Sequence, residues 1–151
     1  MPPVVGEAAP AFTLPSTSGT DVTLAQFRGK SSVLLAFFPL AFTSTCTAEL
    51  CSFTDDFSQF EGAGAVVLPI SVDSIPTLRE FKAKEQLTLD LLSDFKREVC
   101  RAYGTLLEEK FFSRRAYFLI DKQGILRWTH TEVELGHRRD DDELLAQIAA
   151  L

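Results

Sequence analysis

The period of the apolar positions changes several times along this 151-residue chain, and each change marks an element. Residues 32–38, from Ser32 to Phe38, form a short continuous apolar run rich in β-branched and aromatic side chains, which suits a strand buried on both faces. Pro39 cannot donate to a sheet ladder and ends that strand. From Cys46 onward Leu50, Phe53, Phe57 and Phe60 recur every three or four positions, marking one face of a helix that Gly62 and Gly64 close. The same criteria predict strands over residues 11–14, 21–24, 32–38, 65–72, 116–121 and 125–130, and helices over 25–28, 46–61, 75–85, 95–103 and 140–150. Thr20-Asp21 after Gly19 and Lys122-Gln123-Gly124 suit hairpin turns, the second between antiparallel strands. Ser74 before Pro76, and Asp140 with Glu143 three residues later, suit helix starts. Asp94 and Gly104 bracket the helix over 95–103. Strands alternate with helices and a hairpin closes the chain, so the expected class is α/β.

This pattern places Cys46 in the first turn of a helix that follows a buried strand. The first N–H groups of a helix lack internal partners and carry the positive end of its dipole, which favours a thiolate. A thiol of pKa about 8.5 is only about 3% ionised at pH 7, and lowering its pKa to roughly 6 gains about thirtyfold in thiolate. Ionisation alone is a modest factor, so a fast reaction also needs neighbours that stabilise the transition state. Thr43, three residues back, carries a hydroxyl that both donates and accepts. Cys51 stands five positions after Cys46. On an ideal helix such positions lie about 140° apart with a rise of about 7.5 Å, so their Cα atoms are roughly 8.6 Å apart. A disulfide needs less than about 7 Å. If the two cysteines join, the first turns of the helix must unwind, which reads as a switch between a folded dithiol and a locally unfolded disulfide. The bland alternative is that both are small buried hydrophobes.

The run Pro39-x3-Thr43-x2-Cys46 resembles the peroxidatic signature of the peroxiredoxins, and CTAEL followed by Cys51 resembles their bacterioferritin comigratory protein (peroxiredoxin Q) branch, of the atypical two-cysteine kind. The resemblance runs from GEAAPAFTLPSTSGTDVTL through ISVDS to RRAYFLIDKQGILRW. It implies that Cys46 attacks the O–O bond of a hydroperoxide and becomes a sulfenic acid. It further implies that Thr43 bonds the peroxide and the sulfur, and that Pro39 shields the sulfenic acid from solvent. The family's arginine precedes a strand as R-x2-F-L-I-D, which selects Arg115 over Arg114. Arg115 would lower the thiol pKa and polarise the substrate oxygens, although by itself it also reads as a solvated charge at a strand start. Glu49 complements the helix dipole but as a carboxylate would work against a nearby thiolate, and reads as mainly structural. Cys51 matches the resolving cysteine that closes an intramolecular disulfide and guards Cys46 from overoxidation. A separate reductant must reopen that disulfide, and the resemblance points to thioredoxin. Hydrogen peroxide and alkyl hydroperoxides are the implied substrates, with no metal or organic cofactor. The implied assembly is a monomer, or at most a weak dimer.

The remaining composition narrows the choice. At 151 residues and 46% apolar, the chain suits one domain over 1–151 with a full core, and its βαβ crossovers and closing hairpin fit a thioredoxin-like three-layer sandwich with a mixed central sheet flanked by helices. A net charge of −6 with no basic run argues against nucleic acid or an anionic membrane as partner. No run of eighteen apolar residues appears, and MPPVVGEAAPAF lacks the regions of a signal peptide, so the expected location is the cytoplasm. Three cysteines at spacings of 5 and 49 make neither a disulfide scaffold nor a zinc pair, and Cys100 reads as a buried structural thiol. Most of the thirteen phenylalanines read as packing, with Phe38, Phe42 and Phe118 expected near the site as an apolar wall. His130 and His137 are isolated. Two other classes stay in view. A thioredoxin-like metal carrier fits poorly. A peroxide sensor that relays its disulfide to a partner protein shares the first chemical step with a peroxidase.

Overall fold

Strand β3, Ser32–Phe37, is buried at every position, and the remaining elements are arranged around it. The structure, a computed structural model, describes residues 2–151. Two short strands, β1 (Thr13–Leu14) and β2 (Val22–Thr23), form an antiparallel hairpin ahead of a single 3₁₀ turn, Leu24–Phe27. Helices α1 (Ser44–Asp55) and α2 (Phe57–Gly62) then lead to β4, Ala65–Ser71, and α3, Ile75–Glu85, leads to β5, Leu92–Ser93. After α4 (Glu98–Ala102) a small hairpin of β6 (Leu106–Leu107) and β7 (Phe112–Ser113) precedes the long pair β8 (Ala116–Ile120) and β9 (Leu126–Thr131). Helix α5, Asp141–Ala149, follows.

The central sheet runs β5-β4-β3-β8-β9, with β3, β4 and β5 parallel and β8 and β9 antiparallel to their neighbours. Side chains alternate across β3, so Val33, Leu35 and Phe37 pack into one core with Phe118, Tyr103 and Leu92. Leu34 and Ala36 face the other core, with Phe53, Phe60, Tyr117, Leu119 and Leu144. A mixed sheet with helices against it is the expected α/β architecture.

Several boundaries differ from the sequence reading for local reasons. The expected helix over 46–61 is two helices, because Asp56 adopts a non-helical φ/ψ of −99°/12°. The bend leaves Phe57 exposed and turns Phe60 edge-on to Phe53, with centroids 5.7 Å apart. The expected helix over 95–103 shrinks to Glu98–Ala102, since Arg97 is left-handed at φ 64°. Asp94 still satisfies its first amides, accepting from Val99 N at 3.2 Å and Cys100 N at 2.6 Å. Strands β5, β6 and β7, two residues each, have no counterpart in the sequence reading.

One contact between α1 and α5 carries a pH prediction. Ser52 Oγ donates to Asp141 Oδ2 at 2.8 Å, while burial and the neighbouring Asp56 carboxylate push the Asp141 carboxyl up to about 7. The native chain therefore binds this proton more tightly than the unfolded chain does. Its contribution to stability is greatest below about pH 4 and declines as pH rises to about 7. Asp141→Asn removes the penalty, so the variant's Tm should match the parent's near pH 4 and exceed it by several degrees at pH 8. Equal Tm values at both pH values would refute this.

Candidate active site

Cys46 is the third residue of α1 and is 1% exposed. Its Sγ accepts a hydrogen bond from Nη2 of Arg115 at 3.0 Å. The β3–β8 register explains the approach: Phe37, at the end of β3, pairs with Ala116, so the preceding Arg115 arrives where β3 gives way to α1. The other arm of the guanidinium, Nη1, donates to Glu49 Oε1 at 2.9 Å. Glu49 follows Cys46 by three positions and lies on the same face of α1, so one planar fork bridges two side chains of one helical turn. Nη2 also reaches the carbonyl of Leu135 at 3.4 Å. Arg115 is 1% exposed and Glu49 fully buried.

Burial and mutual contact shift the titration of Glu49, Arg115 and Tyr117. Complete burial pushes the Glu49 carboxyl above its usual range, against the opposing pull of Arg115 and of hydrogen bonds from Tyr117 and Arg115. Desolvation works against the Arg115 charge, yet Glu49 and the Cys46 sulfur together hold the guanidinium above its ordinary value. Burial and the adjacent Glu49 push the Tyr117 phenol up, so Tyr117 stays protonated and donates to Glu49 Oε2. Its oxygen in turn accepts from the backbone N–H of Arg139 at 3.0 Å.

The residues singled out from sequence separate in space as follows. Pro39 is buried two residues beyond the end of β3. Thr43 is the N-cap of α1, with extended backbone at φ −92° and ψ 153°, and its hydroxyl donates to the Leu40 carbonyl at 2.8 Å. Phe38 packs with Cys46, Ala41, Leu50 and Phe81. Phe42 is 46% exposed, left-handed at φ 68°, and tilted at 57° to Phe81 with ring centroids 5.0 Å apart. A positive φ is costly for a bulky side chain, so strain is held one residue before the helix cap. Phe118 corrects the expected apolar wall: it faces the opposite core, edge-on to Phe37 and Tyr103. A cavity of about 460 Å³ lies elsewhere, lined by Phe27, Phe53, Phe57 and Leu89 but by none of the residues touching Cys46.

All three cysteines are free thiols. Cys51 lies in the same unbroken α1 as Cys46 and its thiol points to Glu85 Oε1 of α3 at 3.8 Å. Burial first and the Glu85 charge second raise its pKa. If Cys51 resolves an oxidised Cys46, as the resemblance implies, it must attack as thiolate, and Glu85→Gln should then speed disulfide formation severalfold at pH 7. Stopped-flow measurement after one equivalent of peroxide checks this, and an unchanged or slower rate counts against it. Cys100 is buried, with its pKa pushed far up by burial and by Asp94.

Glu49 has a larger part in this cluster than the sequence reading gave it, and Tyr117 and the segment 132–139 had no part there at all. Faint signals exist for the two side chains but none for the segment. Glu49 shares a helix face with Cys46, and Tyr117 lies two residues after Arg115, hence on the same side of the strand.

The model of the AhpC/TSA family matches residues 5–129. A curated protein called putative peroxiredoxin bcp, from Coxiella burnetii, is 40% identical over 141 residues, covering 88% of this chain and 92% of its own. Alkyl hydroperoxide reductase E from Mycobacterium tuberculosis is 38% identical over 149 residues, 97% of each chain. The reduced 2-Cys peroxiredoxin of Plasmodium vivax superposes with a TM-score of 0.91 at 33% identity, covering 99% of this chain and 82% of that one.

Proposed function

The chain belongs to the AhpC/TSA family, with peroxiredoxin Bcp among its relatives and a thioredoxin-like fold, so it is a peroxide-reducing oxidoreductase, and from that premise we propose that Cys46 is its reacting sulfur. The observation that carries this reading is the 3.0 Å contact from the Arg115 guanidinium to Cys46 Sγ in a site closed to bulk water. The thiolate attacks the distal peroxide oxygen, the O–O bond breaks, and the leaving oxygen takes a proton to become water or an alcohol. Sulfur loses two electrons and becomes a sulfenic acid. Arg115 supports the charge that builds on the departing oxygen, and Thr43 and Pro39 shape the approach at the start of α1. Hydrogen peroxide and small alkyl hydroperoxides are the substrates in this reading.

Cys51 is the resolving thiol in this reading. Its sulfur displaces water from the sulfenic acid and forms the 46–51 disulfide, for which α1 must unwind because it holds the two cysteines on one continuous helix. A dithiol reductant of the thioredoxin type then restores both thiols. The chain acts in the cytoplasm, as one domain and as a monomer or weak dimer. No helix among the described residues is long and apolar enough to cross a membrane.

A disulfide map after one equivalent of peroxide tests the assignment. Cys51→Ser should still consume that equivalent but fail to recycle with thioredoxin and its reductase. Full turnover in that variant would pass the resolving role to Cys100. Many turnovers by the parent support the enzyme, whereas one oxidation followed by transfer to another protein would favour a sensor.

A further inference from the structure

The Arg115 side chain belongs to a closed circuit of hydrogen bonds, not to a single ion pair. Its guanidinium holds Glu49, and Glu49 accepts from the Tyr117 hydroxyl. That hydroxyl accepts from the N–H of Arg139, whose own guanidinium grips Glu132 at 2.8 Å. The circuit closes where the N–H of Glu132 donates back to the carbonyl of Arg115 at 2.9 Å. The segment between Glu132 and Arg139 also lays its Leu135 carbonyl on Arg115 and its Gly136 carbonyl against Thr45 at 3.5 Å. Arg115 Nε is buried without a partner, so the two ends of the fork alone fix its aim. Within this circuit the Tyr117 hydroxyl is the one atom that touches both the buried carboxylate and the overlying segment.

We propose that Tyr117 is a positioning residue for the first chemical step: its hydroxyl, held between Glu49 and the Arg139 amide, keeps Glu49 where it aims the free arm of Arg115 at the Cys46 sulfur. The inference rests on Cys46 being the peroxide-reactive thiol. The tyrosine acts through Glu49 and then through Arg115, and it touches neither sulfur nor substrate. Its ring packs with Leu119, Phe53 and Leu144, so removing only the oxygen leaves that packing in place. The loss falls on Glu49 Oε2, which would be left buried without a donor and free to rotate off the guanidinium.

The test compares two electrophiles at Cys46. Tyr117→Phe should slow sulfenic acid formation by peroxide about tenfold. It should slow alkylation of Cys46 by iodoacetamide, which has no oxygen pair for Arg115 to polarise, by less than about threefold. Equal losses for both reagents would show general loosening and overturn the proposal, as would a peroxide rate within twofold of the parent. A second comparison separates the route from general loosening: Glu49→Gln already removes the carboxylate through which the phenol acts on Arg115, so adding Tyr117→Phe in that background should change the peroxide rate less than twofold, whereas poor folding would lower it again. A tenfold further loss in that background would also overturn it. Should the parent chain form no sulfenic acid at Cys46, the reading beneath fails, which is a separate result.

Discussion

Cys46→Ser is expected to abolish peroxide consumption, leaving a rate that matches buffer alone. A serine hydroxyl keeps the size and the acceptor that Arg115 Nη2 bonds, so the fold and the Arg115–Glu49 pair should survive. What is lost is the polarisable atom that can give up two electrons and carry an oxygen. The other thiols cannot take over. Burial and Glu85 raise the pKa of Cys51, and burial and Asp94 raise that of Cys100, so both stand as neutral thiols away from the guanidinium. The check is peroxide loss followed with excess reductant, alongside circular dichroism to establish folding. A folded variant that keeps more than a few per cent of the parent rate would move the reacting sulfur to another position.

Arg115→Ala should slow the first step by more than the roughly thirtyfold that thiol ionisation alone can supply. The excess over that factor is the share that comes from supporting charge on the leaving oxygen. A loss smaller than about thirtyfold would deny Arg115 that second role. The same substitution leaves Glu49 fully buried opposite an empty space, and breaking a buried pair in this way costs about 3–5 kcal/mol, measurable by denaturant unfolding. Lysine does not repair the site, since one ammonium cannot serve Glu49 and Cys46 with the geometry of a flat fork.

The sequence disclosed what depends on neighbours along the chain. The all-buried run of β3, the stop at Pro39 and the apolar stripe of α1 each follow from residues within one or two turns of each other, and they place Cys46 at the helix start. Strands β5, β6 and β7 escaped because two residues carry no period, and tertiary pairing alone defines them. The break at Asp56 escaped because the apolar stripe continues across it, through Phe57, while the backbone does not. The buried site was legible only as far as Cys46 and, through its motif, Arg115. The role of Glu49 depends on partners 66 and 68 residues further along, and no local rule connects them. As an acid one turn into the expected helix it suggested a dipole partner, whereas burial against Arg115 and Tyr117 gives it a different task.

Because a single guanidinium grips Cys46 and Glu49 on successive rungs of α1, it can hold both only while that turn stays wound. In the proposed cycle this sets an order of events: oxidation of Cys46 would weaken one of the two points of attachment before any unwinding begins, so that chemistry precedes motion, while the unoxidised molecule keeps its wound shape.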